Sequence, residues 1–326
     1  MKRKHLFQPD PEQMRHWPAV SGNAINGQGE RAPRRPSPIY WHAPDATPHG
    51  PLQKWFYART LASLAVAEAR RERQAAIDEP LAPLAPADEP RTEMTAEAWT
   101  AEITREARLH ADAVGVTRMR AEWVFEGHDV PPYAWLVLLA VKHDFEALRE
   151  APREAALVEV TRQYARGTRA AKRVASFLRA RGHDAVAHGG PMAGSFVLIP
   201  GAIEAGLGEL GKHGSLIHKE LGANFRLASV LTNVPLVPSS RSQFGADDFC
   251  AHCRVCEDAC PPGAILAEKQ LVRGERRWYV DFDKCLPYFN ENNGCAICLP
   301  ACPFSRPVIG PRLVAKLEKR ASRGAK

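Results

Sequence analysis

The spacing of apolar positions changes along the chain, and each change marks a different kind of element. Residues 1–50 are rich in Pro, Gly, His and Arg, show no sustained period, and read as an irregular arm. From Leu52 to about Ile77 the pattern turns helical and Ala-rich. Pro80, Pro83, Pro86 and Pro90 then punctuate 79–91, the composition of a stiff, extended linker. Thr95 is placed to cap a helix, with Gly115 as its stop, and Trp99, Ile103 and Ala107 recur at a spacing of four as its buried face. Trp135 to Val141 is a continuous apolar run, which suits a strand covered on both faces. Roughly 153–181 predicts a second long helix, with Val160, Tyr164, Ala171, Val174 and Leu178 on one face and Gly182 after it. Phe196–Ile199 and Leu227–Leu231 read as further strands. Helices alternating with short apolar strands predict an α/β (α+β) domain over about 93–240. No internal repeat is visible outside the cysteine motifs.

Composition adds little to this outline. With 45% hydrophobic and 25% charged positions, the chain is not disordered or collagen-like, and its 326 residues suit about two domains. No apolar run approaches the roughly 18 residues that cross a bilayer. The opening Met-Lys-Arg-Lys-His is followed by no apolar core, so no secretory signal is read and a cytoplasmic location is expected, with no membrane partner. The net charge of +7 invites a nucleic-acid reading, but 306–326 holds seven Lys or Arg against one Glu, leaving the rest of the chain at +1. A nucleic-acid partner is therefore not expected. The basic segment reads as a solvated or docking tail, with Leu313 and Leu317 on one face of a short helix.

The cysteines carry the chemistry. All eight lie between Cys250 and Cys302, which rules out a disulfide framework spread through a secreted protein. Cys250, Cys253, Cys256 and Cys260-Pro261 follow the spacing C-x2-C-x2-C-x3-C-P of bacterial ferredoxins. Cys285, Cys295, Cys298 and Cys302-Pro303 repeat the ending with a longer first interval. In such runs the fourth cysteine serves the other cluster. Two [4Fe–4S] clusters are thus expected, one on Cys250, Cys253, Cys256 and Cys302, the other on Cys285, Cys295, Cys298 and Cys260. A pair of zinc ribbons would need only C-x2-C units, without a third cysteine or a Cys-Pro ending.

Residues 205–214 look like a nucleotide loop and fail as one. Gly206, Gly208 and Gly211 satisfy G-x-G-x-x-G, and Gly206, Gly211 and Lys212 nearly make a P-loop, but His213 stands where Ser or Thr must hold Mg²⁺. Pro200-Gly201 interrupts the strand that should lead in, and no Asp or Glu occurs between Glu220 and Asp247. A tight turn against other backbone or a flat cofactor is the alternative.

Two stretches of this sequence resemble reductive dehalogenases. The first is Ile199 to Gly214, followed by Asn224-Phe-Arg-Leu-Ala-Ser-Val-Leu-Thr232. The second is Phe249-Cys to Ile265 with Cys295-Ala-Ile-Cys-Leu-Pro-Ala-Cys-Pro-Phe304. Epoxyqueuosine reductases share much of this pattern, and Tyr164 to His183 also fits, so the resemblance covers about 95–305. It implies a nitroreductase-like domain over 93–240 that binds base-off cobalamin. A ferredoxin-like module over 241–305 would follow, behind an arm and linker of 1–92 and ahead of the tail 306–326. The clusters would reduce the cobalt, and Gly206, Gly208, Gly211 and His213 would lie against the cofactor. A Tyr with a Lys or Arg beside it donates the proton in that family, and the matching positions are Tyr164 and Lys212. A cation near a phenol favours the phenolate, which suits proton transfer.

No twin-arginine leader is present, which points to a cytoplasmic form, and Gly189–Ile203 lacks the acid that epoxyqueuosine reductases carry there. The reading that results is an iron–sulfur, cobalamin-dependent reductase of an organohalide or similar small electrophile. Its electrons would come from a ferredoxin or a flavodoxin and its reductase. The alternatives are a cobalamin-free electron-transfer protein that meets its partner through the arm or the basic tail, and a tRNA-modifying reductase.

Overall fold

The computed structural model describes residues 7–41, 45–86, 90–190 and 194–324. The irregular arm holds two single turns, α1 (Pro11–Met14) and α2 (Gly22–Ile25). It keeps its irregular backbone by fastening side-chain amides onto a later helix, α11 (Phe282–Glu291). The region expected as one helix over 52–77 is two, α3 (Pro51–Arg59) and α4 (Leu64–Asp78). The break has a local cause, because the Thr60 hydroxyl donates back to Phe56 O and the Ser63 hydroxyl caps the next helix by accepting from Val66 N–H.

Thr95 does cap α5 (Ala96–Arg108), and Trp99, Ile103 and Ala107 are fully buried. Gly115, expected as the stop, instead lies within a strand, β1 (Ala113–Arg118), that the periodicity does not reveal. A Cβ at Gly115 would stand 2.2 Å from Ala205 O, so the glycine is there to let two backbones touch. β2 (Trp135–Lys142) is the expected continuous strand, and α6 (Phe145–Leu148) follows it. α7 (Glu154–Arg179) is the second long helix, ended by Gly182 at φ +83. Ala171, Val174 and Leu178 are buried as expected, whereas Val160 and Tyr164 are only half-buried and face a cavity.

β3 (Ala185–His188) was not legible in the sequence, and Phe196–Ile199 does not form the expected strand. Only Phe196 makes a single bridge, to Val124, and α8 (Leu198–Glu204) begins two residues later with Pro200 in its first turn, where a missing N–H costs nothing. The glycine-rich turns carry β4 (Glu209–Leu210) and β5 (Leu216–Ile217), which pair with each other, and β6 (Phe225–Thr232) extends the expected Leu227–Leu231.

The main sheet runs β1-β2-β6-β3, and every neighbour is antiparallel, with Trp135 and Ala185 both opposite Thr232. The domain is therefore α+β; alternation of helices and strands does not here produce a parallel sheet. β2 explains its own composition. Val137, Leu139 and Val141 enter a core with α5 and α7, while Leu136, Leu138 and Ala140 enter a second core with Trp123, Phe196 and α8.

The cysteine region packs on the far side of β5. It comprises α9 (Ala246–His252), α10 (Val255–Ala259), the hairpin β7 (Gln270–Val272) and β8 (Glu275–Arg277), α11 (Phe282–Glu291) and α12 (Cys298–Ala301). The basic tail is a helix, α13 (Ile309–Gly324), and it is docked. Val314 is buried with Phe244, Phe304 and Cys302, Leu313 and Leu317 pack beside it, and Lys219 pairs with Glu318 at 2.7 Å. The arm clamps α11: Gln13 donates to Pro287 O and Glu291, Asn23 accepts from Phe282 N–H and Tyr279, and Tyr40 donates to Asn290. Among the described residues no helix is long and apolar enough to cross a membrane.

Candidate functional site

The eight thiols come from short helices and their caps, because closely spaced ligands need a chain that turns after every two or three residues. Cys250 sits in α9 and Cys253 at its cap, Cys256 in α10 and Cys260 at its cap, Cys285 in α11, Cys298 in α12 and Cys302 after it. Cys295 is delivered by a strained turn: Asn293, Gly294, Cys295 and Ala296 all have φ between +48 and +87. Non-glycine residues held there cost on the order of 1–3 kcal/mol each and persist where a site requires the geometry.

Burial pushes the thiols up, and their neighbours push them further. Cys256 rises to about 12 beside Cys250 and Cys253, and Cys302 to about 12 beside Cys250, Cys256 and Cys253. Cys285 rises to about 12 beside Cys295 and Cys260, and Cys298 rises beside Cys295, Cys285 and Cys260. These are two quartets, each completed by a cysteine from the other motif, and Cys256 is also felt at Cys298, so the quartets adjoin. Among the described residues no group of three or more His, Cys, Asp or Glu is arranged to hold a single metal ion.

Lys212 lies with the first quartet. It is 2% exposed, its Nζ donates to Cys253 O at 3.0 Å and to Glu257 Oε1 at 2.5 Å, and it stands 5.1 Å from the Trp278 ring. It does not line either cavity at Tyr164. Nor do Gly206, Gly208, Gly211 or His213. Cβ atoms at the three glycines would meet Ser240 O at 2.3 Å, Ile217 O at 2.2 Å and the His213 ring at 2.7 Å, so this segment closes on the protein itself. His213 accepts from Ser215 N–H, and burial drops it to about 4.

Tyr164 does stand at a site. It lies where two cavities meet, one of about 120 Å³ walled by Trp41, Phe56, Phe289 and Cys295, the other of about 290 Å³ walled by Phe125, Phe196, Ser215 and Phe225. Its cationic neighbours are arginines: Arg226 is 4.0 Å from the ring centre and Arg73 is 5.2 Å away. Arg226 lines both cavities, and its Nε is buried without a partner among the described residues. Sequence reasoning missed it, although an Arg as the one charged residue of the strand Phe225–Thr232 was the available signal. The arrangement can give a proton from a phenol and stabilise the anion left behind. Through Cys295 it also touches the second quartet.

Residues 249–305 match the family described as the 4Fe-4S dicluster domain and enclose all eight cysteines. The chain is 30% identical over 184 residues to a tetrachloroethene reductive dehalogenase of Desulfitobacterium hafniense, covering 52% of this chain and 33% of that protein. It is 33% identical over 122 residues to an epoxyqueuosine reductase of Cyclobacterium marinum, covering 32% of this chain and 36% of the relative. It thus spans about a third of the length of these relatives. A solved reductive dehalogenase, whose structure is linked to B12-dependent dehalogenation, superposes with a TM-score of 0.72 at 22% identity. That match covers 84% of this chain and 42% of the other, and shows a shared fold. Fold and cysteines together define a protein that carries a 4Fe-4S dicluster domain. More particularly, the chain is similar to reductive dehalogenases and, over a shorter stretch, to epoxyqueuosine reductases.

Proposed function

We propose that the chain is a reductase of the reductive dehalogenase type in which two [4Fe–4S] clusters feed electrons to the cleft at Tyr164. The carrying observation is the junction itself: a phenol whose ring centre lies 4.0 and 5.2 Å from two guanidiniums, in a cavity whose wall includes a cysteine of the second quartet. Cys250, Cys253, Cys256 and Cys302 hold one cluster; Cys260, Cys285, Cys295 and Cys298 hold the other. Buried thiols pushed to 11 or 12 become thiolates only against a cationic partner, and iron ligation supplies one. Because Cys295 lines the cavity, the second quartet is the one that delivers, and the first is the one that receives electrons from the donor, a ferredoxin or flavodoxin.

The residues also fit one face of a corrinoid. The larger cavity is mostly apolar, and the unpartnered Arg226 Nε points to a polar group not supplied by the described residues. A bound corrinoid would supply low-potential cobalt chemistry at the substrate's carbon–halogen bond. The chain supplies the rest. Reduction of an organohalide takes two electrons and one proton and releases halide; Tyr164 gives the proton from its phenolic oxygen, and Arg226 and Arg73 hold the resulting phenolate until solvent reprotonates it. The apolar walls of Phe56, Phe289 and Phe225 keep water from competing as the proton source.

A second reading is favoured by the cavity sizes, since neither 120 nor 290 Å³ encloses a large cofactor entirely. It is a corrinoid-free electron carrier serving a partner enzyme. Anaerobic purification with cobalamin supplied decides between them. About eight irons and one corrinoid per chain support the reductase, and Tyr164→Phe should then lose turnover with its iron intact. Full iron without corrinoid supports the carrier.

A further inference from the structure

The basic helix α13 has two faces, and the fold uses one of them. Leu313, Val314 and Leu317 cover the core that holds Cys250 and Cys302 of the first quartet. The outward face carries Arg312, Lys316, Lys319 and Arg320, spaced at helical intervals of three and four, and all of them are exposed. Arg306, also exposed, extends the stripe toward Cys302. Among the described residues none of these cations pairs with an acid, because Glu318 on the same helix is taken by Lys219 at 2.7 Å. Val308 and Ile309 stand exposed between Arg306 and Arg312 in the chain. The helix start is held close to the quartet: a Cβ at Gly310 would stand 2.2 Å from Phe304 O, two residues after Cys302.

Other surface near the quartets is different. Along α9 and α10 the charges are mixed and paired, Arg254 with Asp258 at 3.7 Å and Lys269 with Asp247 at 2.6 Å. On the second quartet's side, α11 with its Cys285 is sheathed by the arm. A face of one sign beside a cluster ligand, with a small apolar centre, suits a brief encounter with a protein of opposite charge, since redox encounters bury little area and are steered by charge. Two other partners suit it less. A bilayer takes up the apolar face of a helix, and α13 has spent that face on the core. Single-stranded nucleic acid stacks its bases on aromatic rings, and 306–324 contains none.

We propose that the outward face of α13 is the docking surface for an acidic one-electron carrier protein, seated on Val308 and Ile309 and ringed by Arg306, Arg312 and Lys316. This deepens the reductase reading by placing its electron entry, and it rests on that reading only for the use made of the electrons. Each encounter moves one electron from the carrier's centre, which is oxidised, to the cluster held in part by Cys302, which is reduced. No bond forms or breaks and no proton moves in that step, and two encounters supply the pair that carbon–halogen reduction consumes. The helix read from the sequence as a tail is thus both a wall of the cluster core and the contact through which the core is charged.

The test is anaerobic titration of the iron-loaded protein with an acidic [2Fe–2S] ferredoxin, followed by rapid mixing with the same ferredoxin reduced. One ferredoxin should bind per chain, and raising salt from about 0.05 to about 0.5 M should weaken binding and slow ferredoxin reoxidation by about tenfold or more. Arg312→Glu with Lys316→Glu, both at exposed positions, should cost about as much at low salt, while iron per chain and the rate of reduction by methyl viologen radical stay the same. Arg105→Glu with Arg108→Glu on α5 changes net charge equally and should stay within about twofold of the wild type. No ferredoxin binding, salt-independent binding, wild-type behaviour of the α13 variant, an equal loss in the α5 variant, or tighter binding of a short RNA duplex or anionic vesicles to the same face would overturn the proposal. The reductase reading fails separately. If ferredoxin docks and reduces the iron but no organohalide is consumed, that reading falls and the docking face stands. If viologen drives dehalogenation and ferredoxin does not bind, the reverse holds.

Discussion

Lys212 and Glu257 make a buried ion pair beside the first cysteine quartet, and breaking it should be costly in a way that only this geometry predicts. The side chains are 2% and 11% exposed, the charged atoms are 2.5 Å apart, and Nζ also serves Cys253 O at 3.0 Å. Removing one partner strands the other charge out of water, which costs about 3–5 kcal/mol, whereas replacing both by apolar side chains of similar volume is often close to neutral. Lys212→Met and Glu257→Leu are the single changes, and the double variant closes the cycle. The assay is the rate at which cluster absorbance bleaches in a fixed concentration of denaturant, without oxygen. At about 1.4 kcal/mol per tenfold, a loss of 3 kcal/mol before the barrier speeds bleaching by roughly a hundredfold. Each single variant should approach that, and the double should return to within several-fold of the wild type. Additive effects, or singles that bleach at the wild-type rate, would refute the buried pair and reopen a role for Lys212 at Tyr164.

Three further outcomes are expected. Gly115→Ala places a Cβ 2.2 Å from Ala205 O, so the sheet must shift from α8; a thermal melt should show a loss of about 1–3 kcal/mol, and an unchanged melt would mean that the two backbones do not touch. Burial drops His213 from 6.5 to about 4, so as pH falls the unfolded chain takes up its proton first. The native state holds its full stability above about 6.5 and loses on the order of 3 kcal/mol as pH falls to 4; the difference in melting temperature between pH 7 and pH 5 should shrink in His213→Asn. Val314→Asp puts a charge into the core shared with Cys302 and Phe304, and should lower iron per chain toward the content of one cluster, as should truncation after Arg306; full iron in both would return α13 to the role of a loose tail.

Much of the molecule was readable from local spacing. The period of Trp99, Ile103 and Ala107, the cap at Thr95, the stop at Gly182 and the unbroken run of β2 each follow from the geometry of one element, which neighbours in sequence determine. Local spacing failed where a residue answers to something distant. Gly115 looks like a helix stop, but Ala205 requires it, and Phe196–Ile199 has strand composition yet lacks a strand edge to pair with over its length. The basic tail reads as solvated because charge dominates its composition, while Leu313, Val314 and Leu317 found a core to cover.

The site divides along the same line. Tyr164 and its expected cation, Lys212, came from the family resemblance, which passed over the other cation, Arg226. Sequence separation does not choose between them. The register of β6 against β2, with Arg226 opposite Val141, brings that arginine under the ring on α7, while the turn after β4 carries Lys212 away to Glu257. The chain by itself determined the helices α5 and α7, its buried strand and the spacing of its cysteines, because these are properties of short stretches. Which cation faces the phenol, and which rings and arginines from the arm enclose it, only the tertiary structure decided, because those distances are set by how layers pack and not by the spacing within any of them.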